Sequence, residues 1–245
     1  MKALILGDGI LATELNKQSK FNIVSRKKDN FDITDISTYH NMLKVEYGAI
    51  QYCPYDVIIN CVANTDTYST DRDIHWNTNY KGVSDLVEFC NKWKIKLVQI
   101  STDYLYTYSK SNASENDVPV HCSTWYGYTK LLGEGYVQLK SNNYLIIRCS
   151  HKAKPFQYKD AWINQIGNFD YVDTISERIL KLIKNDCNGI YNVGTNLKSI
   201  FDLAKDSLYP AFKQLYISLY LFSIWYVGIH SPAMAEHIII YKAYV

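Results

Sequence analysis

Short runs of apolar residues alternate, along the first 150 positions, with segments whose apolar residues recur every three or four positions. A short continuous apolar run is typical of a strand buried on both faces of a parallel sheet. The pattern predicts five strands before residue 150: Ala3–Leu6, Phe21–Val24, Val57–Ile59, Leu97–Ile100 and Tyr144–Ile147.

Helical periodicity fills the intervals between these strands. Helices are predicted at Ile10–Lys17, Asp85–Trp93 and Trp125–Leu139. Repeated alternation of strand and helix is typical of an α/β fold with a doubly wound parallel sheet, the Rossmann architecture.

The pattern weakens after Arg148. A helix is predicted at Asp173–Ile183, a strand at Gly189–Val193 and the start of a helix at Ser199–Lys205. We therefore expect a cofactor-binding Rossmann domain over residues 1–150 and an abbreviated substrate-binding lobe over 151–207, followed by an apolar, aromatic-rich tail over 208–245.

The tail changes the composition of the chain. Leu215–Ile229 holds almost no polar side chain other than serine, but its fifteen residues are short for a membrane span, which needs about 17–25. A buried helix is favoured, and a membrane-associated helix or a segment from an altered reading frame stays open.

The remaining composition excludes several classes of function. A net charge of +2 gives no general attraction to nucleic acid or to anionic membranes. The six cysteines form no CxxC pair and no zinc-like spacing with histidine, so we expect reduced thiols, no metal and a cytoplasmic location. The first apolar run ends at Gly7, which is too early for a signal peptide.

The first predicted strand leads into a glycine-rich loop, Gly7-Asp8-Gly9-Ile10-Leu11-Ala12. In the pattern G-x-G-x-x-[G/A], the first glycine makes the turn and the second lets the backbone approach a pyrophosphate. The amides of Ile10 and Leu11 at the helix start would then face the phosphates. A plain glycine turn is the alternative, and the position directly after a strand favours dinucleotide binding.

The end of the second strand bears on the choice between NAD and NADP. Arg26, Lys27 and Lys28 follow Ser25, with no acidic residue before Asp29. Basic residues suit a 2′-phosphate, whereas NAD-binding proteins place a carboxylate here. NADP is therefore favoured over NAD, and a solvated basic turn is the alternative.

Four tyrosines are followed by lysine four positions later, a spacing typical of hydride-transfer enzymes of this fold: Tyr106, Tyr126, Tyr136 and Tyr209. The chain has 22 tyrosines, so the spacing alone means little. Only Tyr126 opens a predicted helix, which places Lys130 one turn further along the same face. We expect the other three to be bystanders.

The chemistry of ketone reduction explains why this pair matters. Tyrosine has a pKa near 10, and we expect a neighbouring ammonium to bring the pKa of Tyr126 toward neutrality for proton transfer. Thr102 follows the strand Leu97–Ile100, at the edge where open α/β sheets bind ligands, and its hydroxyl could bond the carbonyl oxygen.

These residues resemble those of extended short-chain dehydrogenases/reductases, and in particular the dTDP-4-dehydrorhamnose reductases, a family of nucleotide-sugar 4-ketoreductases. The most specific pieces are the runs Leu97–Tyr104 and Tyr126–Glu134, and the resemblance covers roughly residues 1–205. It implies reduction of a nucleotide-linked 4-keto-6-deoxy sugar by NADPH in deoxysugar or rhamnose biosynthesis.

The resemblance also implies roles for individual residues. Thr102, Tyr126 and Lys130 match the catalytic triad of the family. Further cofactor contacts are implied at Asp32, Ile33, Cys61, Val62, Ala63, Asn79 and Lys130. Substrate contacts are implied at Thr65, Tyr104, Tyr126 and His151.

The sequence departs from the family in three ways that leave alternatives open. The glycine loop is one residue tighter than the usual GxxGxxG, and His151 stands where the family often has tryptophan. The substrate lobe is also abbreviated, and the last forty residues do not match the family. A nucleotide-sugar epimerase or dehydratase of the same fold and a non-catalytic, NADP-binding regulatory subunit are the other interpretations. A homodimer is possible.

Overall fold

The computed structural model describes residues 1–46, 50–106, 113–117, 124–205 and 207. These residues divide into two compact units. The first unit consists of Met1–His151 and Val172–Gly194, and the second of Lys152–Tyr171 and the described residues from Thr195 onward.

The strands in the described residues are β1 (Ala3–Leu6), β2 (Asn22–Val24), β3 (Lys44–Glu46), β4 (Ile50–Tyr52), β5 (Val57–Asn60), β6 (Lys96–Thr102), β7 (Tyr144–Cys149), β8 (His151–Lys152), β9 (Ile166–Gly167), β10 (Asp170–Tyr171), β11 (Gly189–Val193) and β12 (Lys198–Ser199). The α-helices are α1 (Ile10–Ser19), α2 (Arg26–Asp29), α3 (Arg72–His75), α4 (Gly82–Trp93), α5 (Trp125–Lys140) and α6 (Val172–Lys184). A π-helical turn covers Trp76–Lys81, 3₁₀ turns cover Ile36–Met42 and Asp103–Tyr106, and residues 200–205 are helical.

Six strands form the main sheet, in the order β11-β7-β6-β5-β1-β2, and every neighbouring pair is parallel. The chain passes from β1 outward to β2 and then crosses to β5 on the other side. The direction of winding therefore reverses between β1 and β5, and their carboxyl ends border the crevice where such sheets bind ligands. The predicted doubly wound α/β fold is confirmed.

Both faces of the sheet are covered, which explains the continuous apolar strands. Side chains alternate between the faces along each strand. Ile5 and Ile59 pack on one face with residues of α1 and α6, whereas Leu4 and Ile58 pack on the other with residues of α4. A strand whose every residue meets a helix layer needs an apolar side chain at each position.

The element α6 and the strand β11 lie in the first unit, although the sequence analysis placed them in the C-terminal lobe. Five residues of β11 pair in parallel with β7, and the apolar face of α6 joins the core beside α1. The strand β11 is therefore the sixth strand of the main sheet, and α6 belongs to the helix layer that covers it. The tail over 208–245 lies outside the described residues.

The second unit has its own small core around Phe169, Tyr171, Ile200 and Leu203. Tyr171 donates its hydroxyl proton to the carbonyl of Leu203 at 2.6 Å. The strands β9 and β12 of this unit pair in an antiparallel arrangement.

No helix within the described ranges is long and apolar enough to cross a membrane. The same residues contain no group of three or more histidine, cysteine, aspartate or glutamate side chains that could hold a metal ion.

Candidate active site

The glycine loop forms an open cradle at the carboxyl end of β1. Gly7 has a φ of 103°, in the region that favours glycine, and a β-carbon there would lie 3.3 Å from Cγ2 of Val62. Gly9 is the N-cap of α1, and a β-carbon there would meet nothing within 4 Å. Ile10 and Leu11 form the first turn of α1, so their amides lie at the mouth of this cradle. The loop therefore fits a pyrophosphate at a helix N-terminus.

The basic turn after β2 meets the predicted adenine-binding turn. Nη2 of Arg26 lies 2.8 Å from Oδ2 of Asp32, and Asp32 also accepts hydrogen bonds from Thr34. Partial burial acts to raise the pKa of Asp32. The hydrogen bonds from Thr34 and the guanidinium of Arg26 have the larger combined effect, so that the pKa of Asp32 lies below its usual value. Lys27 is exposed beside Arg26, and Ile33 is buried under Asp32.

Asp29 is the first carboxylate after β2, and its side chain is hydrogen-bonded within its own turn. Its Oδ2 accepts the backbone N–H of Ser25 at 2.9 Å, while Ser25 caps α2 by accepting the N–H of Lys28. This carboxylate therefore closes the turn on itself, and the side chains that extend from the turn are basic.

The segment after β5 borders the glycine loop. The N–H of Cys61 donates to the carbonyl of Leu6 at 3.1 Å, and the N–H of Val62 donates to Oδ1 of Asn60 at 3.0 Å. Cys61, Val62 and Ala63 are half-buried, and Thr65 is exposed further along the loop. Burial raises the pKa of Cys61 to about 12, so it is a neutral thiol at physiological pH.

Asn79 is buried, and its side chain is hydrogen-bonded within the protein. It is 1% exposed, and its side chain accepts the N–H of Asn64 and donates to the carbonyl of Asn64 and to the hydroxyl of Thr129. Both of its donors are used within the protein. Asn79 thus connects the loop after β5 to α5, and its cofactor contact stays a prediction.

The predicted catalytic residues come together at the carboxyl end of β6. Thr102 is the last residue of β6, and Tyr126 lies in the first turn of α5, which Thr124 caps. The side chain of Thr102 lies near enough to Tyr126 to act on the pKa of its phenol. The ring of Tyr104, which is 37% exposed, packs edge-on against that of Tyr126 with centroids 5.7 Å apart.

Lys130 is buried one turn after Tyr126. Its Nζ donates to the carbonyl of Ile100 at 2.5 Å. Burial lowers the pKa of Lys130 from 10.5 to about 8. An ammonium enclosed in this way carries its positive charge in a poorly solvated place, at the strand that ends in Thr102.

The pKa of Tyr126 is raised, whereas we expected it to be lowered toward neutrality. Burial raises it to about 12, and the side chain of Thr102 only partly opposes this shift. The ammonium of Lys130 points at the main chain of β6 instead of lowering the pKa of the tyrosine. Tyr126 therefore keeps its proton through neutral pH, as a proton donor must.

The end of β7 adds two groups beside Thr102. Cys149 pairs with Thr102 in the sheet register, and burial raises the pKa of its thiol to about 12. His151 begins β8 and is half-buried. The substrate contact predicted for His151 stays a prediction.

The other tyrosines of the YxxxK spacing are placed apart from this cluster. Tyr136 donates to Oε1 of Glu88 at 2.7 Å, on the α4 side of α5. The hydroxyl of Tyr106 accepts a hydrogen bond from Arg148. Tyr209 lies outside the described residues.

Sequence reasoning missed a buried charge pair beneath the site. Arg148 and Glu134 are 4% and 1% exposed, and they form a bidentate ion pair. The hydroxyl of Ser101 donates to Glu134 at 2.8 Å. An arginine at the end of an apolar strand, and a glutamate one turn beyond Lys130, are the signal that could have predicted it.

The sheet order, the glycine cradle and the cluster at the end of β6 define a Rossmann-type α/β protein with a reductase-like site. The sequence model of the RmlD substrate binding domain matches residues 1–152, and the chain belongs to this family. The resemblance inferred from the sequence is confirmed.

Similar proteins agree with this placement. The chain is 26% identical over 216 residues to the spore coat polysaccharide biosynthesis protein SpsK of Bacillus subtilis (strain 168), covering 80% of this chain and 74% of that protein. A dTDP-4-dehydrorhamnose reductase of Bacillus anthracis str. Ames, solved in complex with NADP, is 26% identical with a TM-score of 0.70, over 86% of this chain and 81% of that one. The orthologue from Clostridium acetobutylicum ATCC 824 shares the fold at 23% identity and the same TM-score of 0.70, over 85% of this chain and 79% of that one.

Proposed function

We propose that this protein uses NADPH to reduce the 4-keto group of a nucleotide-linked 4-keto-6-deoxy sugar. The observation that carries the proposal is the placement of Thr102, Tyr126 and Lys130 at the end of β6, next to the crevice between β1 and β5. The relative from Bacillus anthracis, a dTDP-4-dehydrorhamnose reductase in complex with NADP, supports both the reaction and the cofactor.

The cofactor would lie along the carboxyl edge of the sheet. Gly7 and Gly9 would hold its pyrophosphate, Arg26 would meet the 2′-phosphate, and Cys61–Ala63 would line its path. When bound, NADPH supplies the hydride. Arginine is well suited to the phosphate because its planar guanidinium can donate two parallel hydrogen bonds.

The residues of the chain supply the proton. Tyr126 would donate its phenolic proton to the carbonyl oxygen of the sugar, so that the added hydride and this proton together convert the ketone to an alcohol. Thr102, whose side chain acts on the phenol of Tyr126, would hold that oxygen with a second hydroxyl. The buried ammonium of Lys130 would stabilise the negative charge that develops on the carbonyl oxygen of the sugar.

The residues of the turn after β2 favour NADPH over NADH as the cofactor. The nearest carboxylate, Asp29, bonds the backbone of Ser25 and caps its own turn. An epimerase that retains NAD would need a carboxylate free to bond the ribose 2′-hydroxyl, and this turn offers Arg26 and Lys27 instead.

Replacement of Tyr126 by phenylalanine tests the assignment. Tyr126→Phe keeps the ring that packs on Tyr104 but removes the acid, so turnover should fall on the order of 10²–10⁴-fold. The dissociation constant for NADPH should change by less than about twofold, since the phenol is not part of the phosphate cradle. Steady-state kinetics and a fluorescence titration measure the two quantities.

Tyr136→Phe is the matched control. It also removes a phenol from α5, but one whose partner is Glu88. Turnover of this variant should stay within a few-fold of the wild type. Full activity in Tyr126→Phe would show that the proton comes from another group.

A further inference from the structure

Arg148 connects two parts of the first unit that flank the reaction centre. On one side its Nε lies 3.0 Å from Oε1 and 3.2 Å from Oε2 of Glu134, and its Nη2 also bonds Oε1. Glu134 lies on α5, one turn after Lys130, and accepts a further bond from Ser101. This side of the guanidinium is therefore fixed to the helix that carries the proton donor.

The other side of the guanidinium holds the segment that follows β6. Its Nη1 donates to Oη of Tyr106 at 2.5 Å and to the carbonyl of Glu115 at 3.3 Å. Oη of Tyr106 also lies 3.1 Å from the carbonyl of Ser114 and 3.0 Å from Oδ1 of Asn192, either of which can accept its proton. Two stretches of this segment thus meet at one buried cation.

Tyr104 lies between two fixed points as a consequence. Thr102 is held by its pairing in the sheet, and Tyr106 is held by Arg148. A single 3₁₀ turn, Asp103–Tyr106, spans the interval, and within it the N–H of Tyr104 donates to Oγ1 of Thr102. The ring of Tyr104 is thereby directed against Tyr126.

We propose that Arg148 and Tyr106 are positioning residues for substrate binding: they anchor the turn that carries Tyr104, and so set where the sugar lies relative to Tyr126. The proposal rests on the proposed reductase function. Neither residue takes part in proton transfer, because the proton donor and the ammonium lie on α5.

The energetics of buried ion pairs favour a positioning role over a stabilising one. Removing two charges from water costs nearly as much as their attraction returns, so such a pair adds little net stability. Its bidentate geometry, by contrast, fixes the orientation of both partners. The guanidinium has donors left for Tyr106 and Glu115 after both Glu134 oxygens are bonded.

The test is Tyr106→Phe, which removes the hydroxyl but leaves the Arg148–Glu134 pair intact. The KM for the nucleotide sugar should rise about tenfold, as expected for the loss of a hydrogen bond to a charged group. The kcat should stay within about threefold, and the KM for NADPH should not change. Tyr136→Phe, which also loses a phenolic hydrogen bond, should leave both KM values unchanged.

Hydrogen exchange gives a second measurement that does not depend on turnover. In Tyr106→Phe, the amides of residues 103–106 and 113–117 should exchange faster than in the wild type, while those of α5 stay unchanged. If the wild type shows no reductase activity, the proposed function fails but this measurement still tests the anchor. Unchanged exchange overturns the proposal, as does an unchanged sugar KM or an equal rise in both KM values.

Discussion

Replacing Lys130 by methionine should make the folded protein more stable near neutral pH while abolishing turnover. The ammonium of Lys130 is buried, and burial lowers its pKa from 10.5 to about 8. Methionine has a similar unbranched stem and fills the same space without a charge. A lysine proposed to serve the chemistry is therefore expected to weaken the fold.

The magnitude follows from the shift in pKa. Each pKa unit corresponds to about 1.4 kcal/mol, so keeping Lys130 protonated in the folded state near pH 7 costs about 3 kcal/mol. The carbonyl of Ile100 loses one donor in the variant but keeps Nε2 of Gln99 at 3.1 Å, which offsets about 1 kcal/mol. The net gain is about 2 kcal/mol, or roughly 4–8 °C in Tm for a chain of this length.

The pH dependence gives this prediction its sign. The folded pKa lies below the unfolded one, so between about pH 8 and 10.5 the unfolded wild type binds more protons than the folded form. Wild-type stability therefore rises with pH across this window, and the penalty is fully present below it. The advantage of the methionine variant should be largest below pH 8 and should vanish near pH 10.

Urea unfolding at pH 7 and pH 10 measures the difference. Lys140→Met, an exposed position at the end of the same helix, is the control and should change stability by less than about 0.5 kcal/mol. A Lys130→Met variant no more stable than the wild type at pH 7 would refute the reasoning, as would a gain that is the same at both pH values.

Two further changes test the cofactor turn and the helix packing. Arg26→Asp should level or reverse the preference for NADPH over NADH, because a second carboxylate beside Asp32 repels the 2′-phosphate; unchanged affinities in a binding titration would remove the turn from the cofactor site. Gly133→Ala should destabilise the fold by about 2 kcal/mol or more, since its β-carbon would lie within van der Waals overlap of the carbonyl oxygen of Asn79. A β-carbon at Gly135, on the same helix, would meet nothing within 4 Å, so Gly135→Ala should stabilise the protein by about 0.5–1 kcal/mol. Thermal unfolding measures the stability of both glycine variants.

The strands were predictable because burial on both faces leaves a continuous apolar run. Ala3–Leu6 and Gly189–Val193 were predicted with the bounds that the structure has. The glycine cradle was predictable for a related reason: only glycine tolerates the φ of Gly7 and its approach to Val62.

Contacts between residues far apart in the chain could not be predicted from the sequence alone. The pairing of β11 with β7, which draws α6 into the first unit, joins residues more than 40 positions apart. The bonds of Asn79 to Asn64 depend on side-chain geometry that no local pattern encodes. The pKa of Tyr126 moved upward because burial, which spacing does not reveal, outweighs the effect of Thr102.

The most direct test of the central claim is the oxidation of NADPH by the purified protein with a nucleotide-linked 4-keto-6-deoxy sugar. The dTDP-, UDP- and GDP-linked forms should be assayed in parallel, with sugar product identified by mass spectrometry. We expect NADPH consumption that depends on the sugar, a product two mass units heavier than the substrate, and loss of both in Tyr126→Phe. Tight binding of NADP with no turnover of any of the three sugars would contradict the account and favour a regulatory, non-catalytic role.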